Sequence, residues 1–302
     1  METKSLNNGA AIEVTGLDIT NVSDEQIDQL RELIRQNIVV VIKKQNTDPF
    51  YFTNLSSRIG KLGNAHMLRW DVYGNHYWET RDPKNPPAWC PGDTPVQRVT
   101  GEKINGNFTG IFPTGILDWH SNLNAPTHTD GVALQGYKNC EGTSTTWLNL
   151  AKAYDEMPED LKKRCEGVYC KYRYSFEVAA KGVPEEQANH HNSLANNYNM
   201  WLIQENRSGR KGFYFSVYNN CEMVTEDKAL FDDFCDYVFQ EKFMYTHYYE
   251  IGDVVLSDQL LSIHKRDQND PAILAKRVLH RITFMVSNEG NPPWIVEYNN
   301  IG

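Results

Sequence analysis

The sequence predicts a mainly β protein with flanking helices, closed as a barrel or sandwich. Two observations carry this reading. From residue 116 onward, short strand-like segments recur between turn residues, with few helical patterns among them. Aromatic residues make up 12% of the chain, including 7 Trp and 16 Tyr, which suits a sheet-rich core or a lined pocket. The 302 residues hold no internal repeat and no low-complexity linker, so a single domain over 1–302 is expected.

The elements follow in order. A short strand is expected over 12–14. Ser23-Asp24-Glu25-Gln26 has the capping-box pattern, and Ile27, Leu30, Leu33 and Ile34 then recur at helical spacing. Residues 38–42 are β-branched throughout and read as a buried strand. Asp48-Pro49 starts a second helix, continued by Phe52, Leu55 and Ile59 to Gly60. Residues 64–115 are broken by Pro and Gly and carry Trp70, Tyr73, Tyr77, Trp78 and Trp89, so they form either an aromatic-packed irregular segment or a substrate lid.

Beyond that segment, strands are expected over 132–137 and 144–148. A helix over 149–165 follows, with Pro158 as a break or a second start, and then a strand over 171–178. The Asn-rich stretch 182–200 reads as a loop, insertion or second lid. Strands are expected over 201–204 and 212–217, and Thr225 is expected to cap a helix carrying Leu230, Phe234, Tyr237 and Val238. The remaining strands fall over 245–249, 253–256, 278–286 and 294–296.

Composition narrows the function. A net charge of −9 argues against wrapping nucleic acid, which needs a positive field. The start is polar, without an export signal, and the longest apolar run, 38–42, is far below the ~20 residues that span a bilayer. The 6 Cys show no CxxC pair and no zinc spacing, so reduced thiols and a cytoplasmic location are expected.

Three segments carry chemistry: Asp118-Trp119-His120-Ser121-Asn122, the run from Gly252-Asp253 to His264, and Arg277-Val278-Leu279-His280-Arg281. Two distant imidazoles suit iron(II), which takes two His and a third ligand on one face and leaves three positions for other groups. Alternation places Arg277, Leu279, Arg281 and Thr283 on one face of a strand. Two guanidiniums on the inner face of a core strand are costly unless they meet anions, so a carboxylate ligand is expected there.

With these segments the chain resembles the taurine dioxygenase family of 2-oxoglutarate oxygenases, nearly end to end. Residues 9–18 are similar to that family's first strand, 38–44 to its V-V-F/L-R strand, and Ile59-Gly60-Lys61-Leu62 to its F-G-x-L turn. Trp119-His120 is similar to its iron-binding W-H-x-D, and Gly142-Thr143-Ser144-Thr145-Thr146-Trp147 to its G-G-D-T-x-W strand. Residues 208–214 resemble its G-R-x-x-L-Y strand, 252–264 its G-D-x-x-x-W-D-N-x-x-x-x-H, and Arg277 with Arg281 its closing R-x-x-x-R. The resemblance implies a double-stranded β-helix, or jelly roll. It implies iron(II) held by His120 and His264, and 2-oxoglutarate gripped by Thr145 and Arg277, with Arg281 nearer the substrate.

The pattern breaks at the family's carboxylate ligand, where this chain has Asn122. Three readings follow: Asn122 binds iron weakly, an anion such as chloride takes its place as in related halogenases, or no metal binds. His128-Thr129-Asp130 is a literal H-x-D, but it lies too close to Thr145 for the family's spacing, whereas His120, 25 residues upstream and preceded by Trp119, fits. Asp118 and Asp130 remain alternative carboxylate donors, and Ser257 stands where the family has Trp. Asp258 and Gln259 either orient a ligand or satisfy backbone groups. His66, His76, His190, His191 and His247 read as packed or solvated residues, and His280 as core.

The expected activity is hydroxylation of an unactivated C–H bond in a small molecule, with iron(II) and 2-oxoglutarate as cofactors. Halogenation using chloride, or a non-catalytic jelly-roll binding protein, are the alternatives. Arg281 hints at an anionic substrate such as an amino acid. Neither nucleic acid nor membrane is an expected partner, and homo-oligomerisation is left open.

Overall fold

The computed structural model describes residues 1–62, 96–122, 129–172, 180–181, 198–216, 221–267 and 269–286. Strands β1 (Glu2–Leu6), β2 (Ala11–Thr15) and β3 (Val39–Ile42) come with helices α1 (Asp24–Asn37) and α2 (Pro49–Ile59). Next are β4 (Gln97–Thr100), β5 (Lys103–Ile104), β6 (Asn107–Phe108), β7 (Ile116–His120), β8 (Gly131–Lys138) and β9 (Ser144–Asn149). Helices α3 (Leu150–Glu156) and α4 (Glu159–Arg164) precede β10 (Tyr169–Tyr172), β11 (Ala180–Lys181), β12 (Tyr198–Trp201), β13 (Ile203–Glu205), β14 (Lys211–Phe213) and β15 (Cys221–Val224). The chain ends with α5 (Leu230–Val238), β16 (Met244–Tyr248), β17 (Val254–Asp258), β18 (Ser262–Arg266), α6 (Pro271–Leu274) and β19 (Val278–Phe284).

Two sheets organise the domain. The major sheet has the order β1-β2-β3-β17-β8-β19-β4, and the minor sheet β11-β7-β18-β9-β16. All pairings within them are antiparallel except β2 with β3. Chain-distant strands lie side by side, as β17 between β3 and β8. This is the expected jelly roll.

The major sheet is buried on both faces, which explains its continuous apolar runs. Along β3, Val39 and Val41 face the core between the sheets, while Val40 and Ile42 pack outward against Leu30 and Ile34 of α1 and Phe52, Leu55 and Ile59 of α2. Each such side chain, fully buried, contributes roughly 1.5–3 kcal/mol. The capping box forms as expected: Gln26 N donates to Ser23 Oγ at 3.1 Å, and Ser23 N donates to Gln26 Oε1 at 2.9 Å. Asp48 caps α2, accepting from Phe50 N at 2.9 Å.

The helical stretch over 149–165 is broken at Pro158, as expected, into two helices that leave Met157 and Pro158 between them. Asn149 caps the first, accepting from Lys152 N at 2.9 Å. Several expectations need correction. Thr225 does not cap α5; its hydroxyl accepts from Asp227 N, and the helix starts at Leu230. Of 212–216, only Gly212 and Phe213 are in a strand, and 217 lies outside the described residues. The end of the predicted 182–200 loop, from 198, belongs to β12, and the end of the 64–115 segment holds β4, β5 and β6. Residues 64–95 and 182–197 of the two candidate lid or insertion segments, most of the strand predicted over 171–178, and 294–296 lie outside the described residues. Cys140, Cys165, Cys170, Cys221 and Cys235 are free thiols, as expected. The polar stretch 2–6 is a strand that sequence reading missed, because an exposed edge strand carries no apolar alternation.

Candidate active site

A cavity lined by residues of both sheets lies between them. The major sheet contributes Val99, Leu134, Leu279 and Arg281, and the minor sheet contributes Leu117, His120, Thr145, His264, Lys265 and Arg266. Asn122, Arg277 and Phe112 complete the wall. All six site residues expected from the sequence therefore line one space: His120, Asn122, Thr145, His264, Arg277 and Arg281.

His120 and His264 are direct partners in the β7–β18 pairing, with ring centroids 4.4 Å apart. A bulge makes this possible. Between the pairs His264–His120 and Arg266–Leu117, β7 uses one residue more than β18. Strict alternation would send Leu117 and His120 to opposite faces; the extra residue brings both to the cavity. At the bulge, Asp118 Oδ1 accepts from Trp119 N at 2.7 Å, and His120 Nδ1 donates to the Asp118 carbonyl at 2.6 Å. That bond fixes the tautomer and leaves Nε2 of His120 as a lone-pair donor. His264 is stacked on Trp147, its partner on β9, with centroids 6.1 Å apart.

Burial pushes the His120 imidazole down to about 4, helped by the charges of Arg281 and Arg266. The His264 ring is held well below its usual range, first by burial and then by His120 and Arg281. Both rings are thus neutral at physiological pH, the form that ligates metal.

Asn122 sits beside them, 9% exposed, and its Oδ1 has no hydrogen-bond partner among the described residues. Its backbone is fixed by Gln259, whose Oε1 accepts from Asn122 N at 2.9 Å. The Gln259 carbonyl accepts from Ser121 Oγ at 2.6 Å, and Gln259 Nε2 donates to Ser257 Oγ at 2.8 Å. Ser257 and Gln259 thus join Asn122 in one buried hydrogen-bonded unit. The alternative carboxylates do not line the cavity: Asp118 accepts at the bulge, and Asp130 accepts from Val286 N at 2.7 Å. Among the described residues no three His, Cys, Asp or Glu side chains gather as a metal cluster. His128 lies outside the described residues.

The donor set nevertheless fits a divalent ion. Two neutral imidazoles lie against each other, and Asn122, whose buried amide oxygen has no partner among the described residues, lines the same cavity. The guanidiniums complete the electrostatics. Arg277 is 1% exposed, and its Nε and Nη2 have no partner among the described residues. Burial lowers its pKa to about 10, so it stays charged at neutral pH. Arg281 donates to Gln97 Oε1. Sequence reading missed Arg266, which is also buried: Nη1 donates to Phe112 O at 2.9 Å, and Nη2 to Thr114 O at 2.8 Å and Gly115 O at 3.0 Å. The array can hold a metal and at least one dianion, with Arg277 the cation left for the latter.

The family described as taurine catabolism dioxygenase TauD, TfdA matches residues 2–283. The chain is 26% identical over 198 residues to an alpha-ketoglutarate-dependent 2,4-dichlorophenoxyacetate dioxygenase of Burkholderia sp. (strain RASC), a match spanning 64% of each chain. It is 21% identical over 311 residues to a pentalenolactone F synthase of Streptomyces avermitilis, covering 92% of both. A shorter match, 53% identical over 78 residues, covers 26% of this chain and 19% of the alpha-ketoglutarate-dependent dioxygenase bsc9 of Alternaria brassicicola. Among solved structures, AAD-2 in complex with Mn(II) and N-oxalylglycine superposes with a TM-score of 0.68 at 15% identity, covering 96% of this chain and 98% of that one. A taurine dioxygenase from Burkholderia xenovorans gives 0.67 at 19% identity, covering 94% and 88%.

Proposed function

The chain belongs to the taurine catabolism dioxygenase TauD, TfdA family, and from that premise we propose that it is an iron(II)- and 2-oxoglutarate-dependent oxygenase that hydroxylates a C–H bond of a small anionic molecule. The observation that carries this reading is a single cavity holding two facing imidazoles, an orphaned amide oxygen and an unpaired buried guanidinium.

His120, His264 and Asn122 Oδ1 would hold the metal on one face. When bound, iron with 2-oxoglutarate activates O2, placing one oxygen atom in the substrate and the other in succinate with release of CO2. The protein's part is placement. Arg277 pairs with the distal carboxylate of 2-oxoglutarate, and Thr145, which lines the same cavity, offers it a hydroxyl. Arg281 lines the remaining space and attracts an anionic group, while Val99, Leu117, Leu134 and Leu279 accept a hydrocarbon portion. The likeness to dichlorophenoxyacetate dioxygenases supports a substrate that joins a carboxylate to an apolar body.

A second reading has one observation in its favour. The cavity is lined by Lys265, Arg266, Arg277 and Arg281, and no carboxylate among the described residues faces it. A halide beside the metal in place of the Asn122 amide would then make the enzyme a halogenase. Product mass with and without chloride distinguishes the two.

Titrating the metal-free protein with Mn(II), followed by electron paramagnetic resonance, tests the centre itself. Binding lost in His120→Ala and strengthened in Asn122→Asp is the expected result. A protein that binds Mn(II) no better than His120→Ala is a non-catalytic jelly roll.

A further inference from the structure

Behind the cavity wall, Tyr249 places its hydroxyl 3.2 Å from Thr145 Oγ1. The two meet because β16 pairs with β9 in the register His247–Thr145 and Tyr248–Ser144, and Tyr249 N extends the ladder by donating to Thr143 O at 3.1 Å. Tyr249 is 1% exposed and Thr145 6%. Thr145 lines the cavity and Tyr249 does not. The Tyr249 ring is held edge-on by His247, with centroids 4.8 Å apart, and His247 Nδ1 is itself 3.0 Å from Tyr245 Oη.

A threonine hydroxyl has one proton, and what it offers a ligand depends on what its other partner supplies. A phenol is the stronger donor of the pair, and burial holds Tyr249 protonated, far above the usual range. If Tyr249 donates to Thr145, the threonine proton is released for a second bond. The partner awaiting it is defined by Arg277, which lines the same cavity and whose Nε and Nη2 have no partner among the described residues. A carboxylate accepts only, so a donor chain ending on it is polarised in one direction, and each bond strengthens the next.

We propose that Tyr249 is a positioning residue for the co-substrate: by donating to Thr145 it turns the Thr145 hydroxyl into a donor aimed at the distal carboxylate of 2-oxoglutarate, beside Arg277. This rests on the reading above that Thr145 and Arg277 grip that carboxylate. Tyr249 does not touch the ligand, and acts wholly through Thr145.

The test is calorimetric titration of the Mn(II)-loaded full chain with 2-oxoglutarate and with pyruvate, which keeps the metal-chelating end and lacks the distal carboxylate. Tyr249→Phe should weaken 2-oxoglutarate about fivefold, the scale of one hydrogen bond in a charged network, and leave pyruvate unchanged. Thr145→Val should weaken 2-oxoglutarate more, and adding Tyr249→Phe to it should do nothing further. Thr145→Ser, which keeps the hydroxyl, should restore sensitivity to Tyr249→Phe. The proposal is overturned if Tyr249→Phe weakens both ligands alike, if its effect persists on Thr145→Val, or if it has none where Thr145→Val does. If Thr145→Val itself leaves 2-oxoglutarate binding unchanged, the clamp reading fails and this inference goes with it. Unchanged pyruvate affinity in the same samples shows that each variant is folded.

Discussion

Gln259 holds Asn122 by the backbone: its side-chain oxygen accepts the Asn122 N–H at 2.9 Å, while its own N–H donates to Asp130 O at 2.7 Å. Asn122 is thereby fixed in the cavity lining, and its amide oxygen has no partner among the described residues. Replacing Gln259 by Leu removes the acceptor and leaves a buried N–H unsatisfied. Mn(II) affinity is expected to fall about 10- to 100-fold, as when residues supporting metal ligands are lost. Stability should fall by about 1–3 kcal/mol. A variant that unfolds earlier but binds Mn(II) as tightly as the parent would make Gln259 purely structural.

Arg277 stands in the opposite relation to stability. Its charge is buried with two nitrogens unpaired. Arg277→Met should therefore raise the stability of the ligand-free protein by about 1–3 kcal/mol, and 2-oxoglutarate should no longer raise its melting temperature. Urea unfolding with and without Mn(II) and 2-oxoglutarate measures both. A ligand-free variant less stable than the parent would contradict the assignment.

His280 predicts acid sensitivity. It is fully buried on β19, stacked on Tyr137 at 4.0 Å between centroids, and neither ring nitrogen has a partner among the described residues. Burial, with the Arg98 charge, lowers its pKa to about 3. A base depressed on folding contributes stability that is present above its unfolded pKa of about 6.5 and is lost as pH falls toward the folded value. Each unit below 6.5 should therefore cost up to ~1.4 kcal/mol. His280→Phe keeps the ring and removes the titration. Its unfolding midpoint in urea should hold at pH 5 relative to pH 7 better than the parent's. Parallel losses in both proteins would show that His280 is not the acid-labile group.

Gly136 is required by a close approach. A Cβ there would collide with the Glu250 carbonyl oxygen and lie 3.0 Å from Cys140 Sγ. The contact is fixed by Gly136 N donating to Asp253 O at 2.9 Å and Gly252 N donating to Gly136 O at 2.8 Å. Gly136→Ala should destabilise the protein by about 1–3 kcal/mol, as overpacking does. A melting temperature unchanged from the parent would show that the 250–253 turn yields freely.

Local chemistry made much of this legible. The capping box at Ser23, the helix spacing of Ile27, Leu30 and Ile34, and the alternation that puts Arg277, Leu279 and Arg281 on one face are properties of adjacent residues, and the structure keeps all three. Thr225 misled because a hydroxyl before a helix can serve a turn as readily as a cap. β18 was not read as a strand: Ser262-Ile263-His264-Lys265-Arg266 carries little apolar alternation, because much of it faces a polar cavity.

By itself the sequence determined which residues are chemically able to serve: two histidines, Asn122 in the carboxylate's position, and a guanidinium on a core strand that demands an anion. Only the tertiary structure decided that they converge, because convergence depends on a bulge in β7, on the register of β18 against it, and on Gln259 and Tyr249 reaching in from just beyond the ends of β17 and β16. Pairing between strands far apart in the chain is set by the packing of whole faces, and no window of neighbouring residues contains that information.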